Sequence, residues 1–430
     1  MLNLSYVNWG RNLKHKFKII EPKSIIELKE IFNKEKEFIF RGSGRSFGDQ
    51  AINKKLIISS KHFNKIINFD AGKGLINVES GVLLKELITH VAPKGWFPPI
   101  CPGTKYVTVG GMIASNVHGK NSKKNQIKYY IKELKILTPN NKVITCSNIK
   151  NKKLFQSSIG GFGLTGIILS AKIKLFKIKS DRLYQKIFEI RNYSQFLKMI
   201  NNKYDYSVFW IDNLSPKKFK GLCYFSNHIN EKEKIQIRFN DKKMPFLIYL
   251  ILKICLKSKL LFSLLNLLFR KTKLIFSNQT VYFNNFFFPQ DKYTNFNKIY
   301  SNGMFQFQFL VKASSLKNLL SEINDFFNIN NIFSTFIIIK NMREGKNEKC
   351  FYSNGISISM DFEINNNFKN LKLFLKKITK KYNLRINVSK DFISNKEMLK
   401  LSNFSINNNY KSSLDPKGKL SSELSLRLGL

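Results

Sequence analysis

Arg41-Gly-Ser-Gly-Arg-Ser-Phe-Gly-Asp49 follows directly on the strand-like run Glu37-Phe-Ile-Phe40. Gly42, Gly44 and Gly48 can take positive φ there, so that successive backbone N–H groups converge on an anion such as a pyrophosphate with no metal or side-chain charge. Further along lies a second segment, Pro102-Gly-Thr-Lys-Tyr-Val-Thr-Val-Gly-Gly-Met-Ile-Ala-Ser-Asn-Val-His-Gly-Lys-Asn121. Gly110 and Gly111 permit another close backbone approach, and the small Ala114 and Ser115 leave room for a flat ring against the start of a short helix. Either segment alone reads as an ordinary glycine turn. Both together, in this order, predict a cradle for a dinucleotide that carries a flat ring.

Two familiar motif readings fail. Gly161-Phe-Gly-Leu-Thr-Gly166 satisfies G-x-G-x-x-G, but Ile167-Ile-Leu-Ser-Ala-Lys-Ile-Lys-Leu-Phe176 follows it, a β-branched, partly alternating run that predicts a strand where a Rossmann site needs a helix. A nicotinamide site is therefore not expected. Cys101, Cys146, Cys223, Cys255 and Cys350 have no C-x-x-C spacing, and the five histidines never pair at i, i+3 or i, i+4, so neither a metal nor a disulfide framework is predicted. An odd number of scattered cysteines favours reduced thiols and a cytosolic face.

Residues 41–50, 103–121 and 159–168 resemble the vanillyl-alcohol-oxidase-like FAD enzymes, most nearly the decaprenylphosphoryl-ribose 2-oxidases and more distantly the aldonolactone and alditol oxidases, and the likeness runs nearly end to end. It implies an α+β fold with a PCMH-type FAD-binding domain over residues 1–179, an antiparallel-sheet substrate domain over 180–384 and a return to the FAD domain over 385–430. It implies FAD as cofactor, held by Arg41, Gly42, Ser43, Gly44, Arg45, Ser46, Phe47 and Gly48 of the first turn. From the second segment it implies Gly103, Thr108, Val109, Gly110, Gly111, Ser115, Asn116 and His118, and from elsewhere Gly163, Ile167 and Asn387.

For chemistry, oxidation of a secondary alcohol needs the C–H to face the flavin, a group to receive the hydroxyl proton, and positive charge near the reduced ring. Lys390, in Arg385-Ile-Asn-Val-Ser-Lys-Asp391, occupies the place of a lysine that serves flavin and substrate in the ribose oxidases, and His118 that of the family histidine near both. These two are the candidate catalytic groups. Trp210 with Asp212, Gln306, Gln308 and Lys340 match the family's substrate pocket, together with Ser357 and Ser359. Gln306 and Gln308, two apart on a strand, face one side, and Lys340 could meet a phosphate as a point charge.

Three positions depart from the pattern: Phe47 and Asn387 each replace a tyrosine, and Ser359 a cysteine, which leaves open the polyprenyl sugar or polyol bound. Arg45 stands where lactone and alditol oxidases commonly carry a histidine, and a guanidinium cannot attack the flavin methyl, so FAD is expected to be non-covalent. The implied substrate is a polyprenyl-phosphate-linked pentose oxidised at its 2-hydroxyl, with an NAD(P)H-dependent short-chain reductase as the partner completing an epimerisation in cell-envelope precursor synthesis. A soluble sugar, aldonolactone or alditol is the alternative, and a basic nucleic-acid-binding protein the alternative of another class.

Length and charge bound these readings. The 430 residues, 43% hydrophobic, suffice for two domains, and no internal repeat or low-complexity linker interrupts them. A formal charge of +45, from 73 Lys and Arg against 28 Asp and Glu, fits either a composition bias or attraction to an anionic membrane. With no reader motif beside it, specific nucleic-acid binding is not expected.

The start, Met-Leu-Asn-Leu-Ser-Tyr-Val-Asn-Trp-Gly-Arg11, lacks the pattern of a secretory signal, so a cytoplasmic or membrane-peripheral location is expected. Residues 245–269 are the most apolar stretch, but Lys253, Lys257 and Lys259 interrupt it, and a spanning helix wants ~20 mostly apolar residues. The segment reads either as an interfacial anchor whose lysines reach lipid phosphates or as a packed hairpin of two short helices broken near Ser258.

Residue patterns place further elements. Ser24-Ile-Ile-Glu27 is a capping box opening a helix to about Phe32, after a strand over 16–20. Strands are expected at 55–59 and 75–79, a helix at 82–91 stopped by Pro93, and a hairpin of 131–138 with 142–145. Longer strands at 205–211, 304–312, 334–340 and 356–362, and a helical stripe of Phe368, Leu371, Leu375, Ile378 and Tyr382, predict an antiparallel sheet with helices over one face.

Overall fold

The computed structural model describes residues 2–4, 8–13, 15–122, 124–214, 219–237, 239, 241–342, 351, 353–401 and 408–430. Cys350 lies outside them, and the other four cysteines are free thiols.

Two small sheets build the N-terminal part. In the first, Phe17–Ile20, Ile57–Ser59 and Ile39–Arg41 run parallel, and Leu2–Leu4 adds an antiparallel edge. The second is antiparallel, in the order Ile66–Asp70, Leu75–Glu79, Ile167–Lys174, Ile131–Leu137, Val143–Ser147. Its central strand is the one that follows Gly166, so the G-x-G-x-x-G match leads into a strand and no Rossmann unit forms there.

Local signals act as their chemistry requires. Ser24 caps the helix Ile25–Lys34 by accepting from the Glu27 amide, although the Glu27 carboxylate reaches Lys23 N (2.8 Å) instead of the cap residue's own amide. The helix Leu84–Val91 gives way at Pro93 to a tight turn, closed by Gly95 at φ +78°.

The larger sheet has eight antiparallel strands, in the order Asn278–Tyr282, Arg182–Ile190, Lys220–His228, Tyr206–Asp212, Phe336–Met342, Gly355–Glu363, Met304–Val311, Arg385–Ile386. Strand alternation divides its faces. Phe305, Phe307, Phe309, Ile356, Ile358 and Met360 pack beneath the helices Tyr193–Ile200, Leu316–Ile329 and Phe368–Lys381. Helices are not confined to that face. A hairpin of Phe246–Lys257 and Lys259–Ile275, broken at Ser258, crosses the other one, where the Phe269 ring meets Trp210 edge-on at 5.2 Å. Among the described residues no helix is long and apolar enough to cross a membrane.

Beyond Ile386 the chain leaves this sheet. Val388, Leu399, Leu424 and Leu428 pack with Phe17, Ile19 and Ile39. Phe38 exchanges backbone hydrogen bonds with Lys419 and Ser421, and Arg427 grips Asp49 bidentately (2.9 and 2.9 Å). The first turn is thus held from both ends of the sequence.

Candidate functional site

A cavity of about 1110 Å³ opens between the glycine-rich segments and the face of the large sheet turned away from its helical core, with Phe286–Asp291 as a third wall.

The glycine-rich end is shaped by backbone contact. Of Gly42, Gly44 and Gly48, only Gly44 takes positive φ (+65°), and a Cβ there would lie 1.9 Å from Arg41 Nη2. A Cβ on Gly42 would fall 2.1 Å from Thr108 Oγ1, which is where the two segments touch. Ser43 Oγ donates to Tyr106 O (2.5 Å), joining them again. Gly103 lines the cavity with nothing within 4 Å of the position its Cβ would take. Ser115 lines it too, accepting from Gln50 Nε2 at 3.0 Å.

Not every glycine serves a ligand. Gly48 admits the Asp391 carbonyl, which a Cβ would meet at 2.3 Å. Gly110 N donates to Ser80 O (2.7 Å), Val109 N to Val82 O (2.8 Å) and Gly111 N to Thr108 Oγ1 (3.2 Å), so the start of the helix Val109–Ala114 spends its amides on the protein. Close approach at Gly110 is therefore by Ser80. Arg41, Gly48, Val109, Gly110, Asn116, Gly163 and Ile167 stand behind the cavity wall, whereas Gly42, Ser43, Gly44, Arg45, Ser46, Phe47, Gly103, Thr108, Gly111, Ser115, His118 and Asn387 form part of it.

Arg45 is held between two rings, its guanidinium 5.3 Å from the Trp9 centroid and 4.8 Å from that of Tyr106. Its Nε is buried without a hydrogen-bond partner among the described residues. A buried donor left unpaired is costly, and a cofactor oxygen would satisfy it.

Register assembles the opposite end. Trp210, Ile338, Ser359 and Gln308 are consecutive cross-strand partners, forming one row that faces the cavity. Gln308 is a hub: its Nε2 lies 3.1 Å from His118 Nε2 and 3.0 Å from Ser357 Oγ, and its Oε1 accepts from Asn387 Nδ2 at 2.8 Å. Gln308 Oε1 also lies 3.4 Å from His118 Nε2, while His118 Nδ1 faces Gly119 O at 3.4 Å and Lys340 Nζ at 3.5 Å, so the tautomer of the imidazole decides which partner donates. Burial, then the charges of Lys340 and Lys390, hold the His118 pKa well below its ordinary value, so the ring is neutral.

Three lysines converge on this end. Lys340 Nζ donates to Gly119 O (2.9 Å), and burial followed by repulsion from Lys120 and Lys390 brings its pKa down to about 7. Lys120 donates to the carbonyls of Phe286 and Phe287, and burial lowers it to about 7 also. Lys390 Nζ sits 4.9 Å above the Phe47 ring and donates no hydrogen bond to any described residue; burial lowers its pKa against the pull of Asp361. Asp361 is buried beneath Gln306, whose Nε2 donates to it at 2.6 Å, and burial raises its pKa to about 7.

Sequence reasoning missed several of these groups. Lys120 lies within the second segment but is one lysine among many, and Gln50, Asp361 and the Phe286–Asp291 wall carry no local motif. Asp212 sits on the cavity side of its strand but does not line the cavity. It accepts from Asn266 (2.9 Å) and pairs with Arg270 (3.3 Å), anchoring the helical hairpin.

This combination of a glycine-shaped cradle and a sheet-borne polar wall defines a two-domain α+β protein with a PCMH-type FAD-binding domain. Residues 18–147 match the FAD binding domain family. The chain is homologous to the decaprenylphosphoryl-β-D-ribose oxidase of Mycolicibacterium smegmatis, 28% identical over 303 residues that span 67% of this chain and 66% of that one. More distantly it matches a putative D-arabinono-1,4-lactone oxidase of Neurospora crassa, 26% identical over 36% of this chain and 29% of the relative. It also matches the L-gulonolactone oxidase of Bos taurus, 27% identical over 36% of each. The alignments thus span about two thirds of the first relative and about a third of the lactone oxidases. The residues present fit FAD: Arg45 offers a donor, Nε, without a partner among the described residues, Gly103 an open cradle, and Lys390 an amine beside the Phe47 ring.

Proposed function

We propose that this chain is a FAD-dependent oxidoreductase that oxidises the 2-hydroxyl of a polyprenyl-phosphate-linked pentose to a ketone. One observation carries the reading: Lys120, Lys340 and Lys390 converge beside a row of amides and hydroxyls in a cavity that also presents aromatic and aliphatic side chains. Lysines held together with no carboxylate in an ion pair with them among the described residues favour an anion such as a phosphate. Amide and hydroxyl groups suit a sugar, and Phe286, Phe287, Phe296 and Leu252 offer apolar surface to a lipid chain.

Bound FAD supplies the acceptor for the hydride that leaves the carbinol carbon. The protein's task is then the hydroxyl proton and the alignment of the C–H bond. Lys390, with its lowered pKa, has a neutral amine fraction that accepts this proton as the C–H bond breaks, and once protonated it places positive charge in the cavity. Neutral His118 fixes Gln308, and through it Asn387 and Ser357, so the sugar meets an already oriented set of donors and acceptors. FAD is held without a covalent bond, because Arg45 occupies the turn. The keto sugar is a substrate for a separate NAD(P)H-dependent short-chain reductase, which would complete the epimer.

Anaerobic bleaching of the flavin tests the reading. Polyprenyl-phospho-ribose should bleach it far faster than aldonolactones or alditols; bleaching only by the soluble compounds would replace this substrate with a lactone or polyol, and failure to purify with FAD would remove the enzyme reading altogether.

A further inference from the structure

The hairpin Phe246–Ile275 leaves much of its apolar surface outside. On its second helix Asn266 and Arg270 face inward together with Phe262; both bind buried Asp212, and Arg270 also lies 3.6 Å from Glu189. Leu260, Leu264 and Leu268, four residues apart on one stripe, face outward with 71%, 49% and 61% of their surface exposed. The first helix continues this outer face with Phe246 (77% exposed), Leu247 (66%) and Ile251 (46%). A helix packed against a protein in water usually turns most of its leucines inward, and an exposed apolar face of this kind marks an interaction surface.

The charge around that face identifies what covers it. Residues 242–276 contain no Asp or Glu, yet carry Lys242, Lys243, Lys253, Lys257, Lys259, Lys271 and Lys273 besides the inward Arg270. Leucines framed by lysines are complementary to anionic lipid, with the apolar stripe at the acyl boundary and the ammonium groups at the phosphates. The helices have 12 and 17 residues, or about 18 and 26 Å at the α-helical rise, short of a bilayer core. The hairpin also reaches the cavity, for Leu252, Phe269 and Lys273 line it.

We propose that this hairpin docks flat on an anionic lipid bilayer and presents the cavity to the membrane surface. Docking stands on the hairpin's own residues; direct entry of a lipid-linked sugar from the bilayer rests in addition on the function proposed above.

The test is sedimentation of the full-length, FAD-loaded chain with phosphatidylcholine vesicles, with and without phosphatidylglycerol, at physiological salt. The charge-neutral variant Phe246→Ser/Leu247→Ser/Leu260→Ser/Leu264→Ser separates insertion from adsorption by the overall positive charge. The native chain should bind the phosphatidylglycerol vesicles, and the variant should bind them at least tenfold more weakly while keeping its flavin and its turnover of detergent-dispersed substrate. Equal binding by both proteins, or no binding by the native chain, would overturn the proposal. So would light scattering that finds a native dimer which the variant dissociates without change in vesicle binding, because the face would then join two copies. Vesicle binding as expected, with no oxidation of any polyprenyl-phospho-sugar, would sink the substrate reading and leave the docking intact.

Discussion

The two ends of the cavity are made by different means. At the glycine-rich end, main chain meets main chain and small side chains: Gly42 meets Thr108, Gly48 meets Asp391, and Gly110 meets Ser80, each closer than a Cβ would allow. At the sheet end, side chains from strands far apart in sequence meet in a row, and their chemistry comes from shared burial, with Gln308 as hub and Lys340 lowered by burial and then by Lys120 and Lys390. A backbone-built end tolerates side-chain change but no added atom where the chains touch. An end built from side chains tolerates volume change but not loss of a functional group. Lys390→Ala is the sharpest way to break this contrast. It should retain FAD but slow flavin reduction by ~10²–10⁴-fold, the usual contribution of a positioned proton acceptor, as read by anaerobic stopped-flow absorbance. An unchanged rate would take Lys390 out of the chemistry.

The complementary change is at Gly44, where φ is +65° and a Cβ would strike the Arg41 guanidinium. Gly44→Ala should cost ~1–3 kcal/mol in backbone strain and local displacement, seen as lower flavin occupancy and a lower melting temperature. The fraction that retains flavin should react at nearly the native rate. A fully loaded variant that reacts slowly would show that this turn acts on the chemistry and not on cofactor retention.

How far each end was legible follows from how it is made. The cradle could be read because its signal is local: glycines in a short span after a strand, then a second glycine pair. Which glycines face the cofactor could not, since Gly48 and Gly110 exist for contacts with Asp391 and Ser80, residues that no window of sequence joins to them. On the sheet, period-two alternation correctly put Gln306 and Gln308 on one side, but the row through Trp210, Ile338, Ser359 and Gln308 depends on a register set by four strands. Asp212 has the right parity for the cavity, yet it lies where Asn266 and Arg270 cover it. Lys120 was hidden by composition, as one cation among 73. Conversely, the break at Ser258 was visible, but the direction each helix face points was not, because apolar spacing alone does not say whether the stripe faces protein or lipid.

The lysines also make the two ends respond differently to pH. Lys120 and Lys340 have folded-state values of about 7, lowered by burial from 10.5. Above pH 7 they lose charge, so the KM for a phosphate-linked sugar should rise ~10-fold between pH 7 and 9, while affinity for FAD changes less. Stability should move the opposite way. Between about 7 and 10.5 the unfolded chain binds more protons at these sites than the folded one, so their contribution makes folding more favourable as pH rises. Lys340→Gln should flatten the KM profile and leave turnover of a neutral lactone unchanged; a profile as steep as the native one would assign the effect to Lys120, because a phosphodiester does not titrate in this range.

The smallest effect is expected where the two ends meet, at Phe47. Its ring lies 4.9 Å from Lys390 Nζ, and a ring face stabilises an ammonium by ~0.5–2 kcal/mol depending on desolvation. Phe47→Tyr keeps that face and adds a phenol hydroxyl, so flavin reduction should change less than ~3-fold if the ring is what matters. Phe47→Leu removes the face, lowers the Lys390 pKa further, and should shift the lower limb of the pH–rate profile to more acidic pH, because a neutral amine is then available sooner. A large gain in rate with Tyr and no pH shift with Leu would mean that the missing phenol, and not the ring beneath Lys390, is what the first turn contributes to the chemistry.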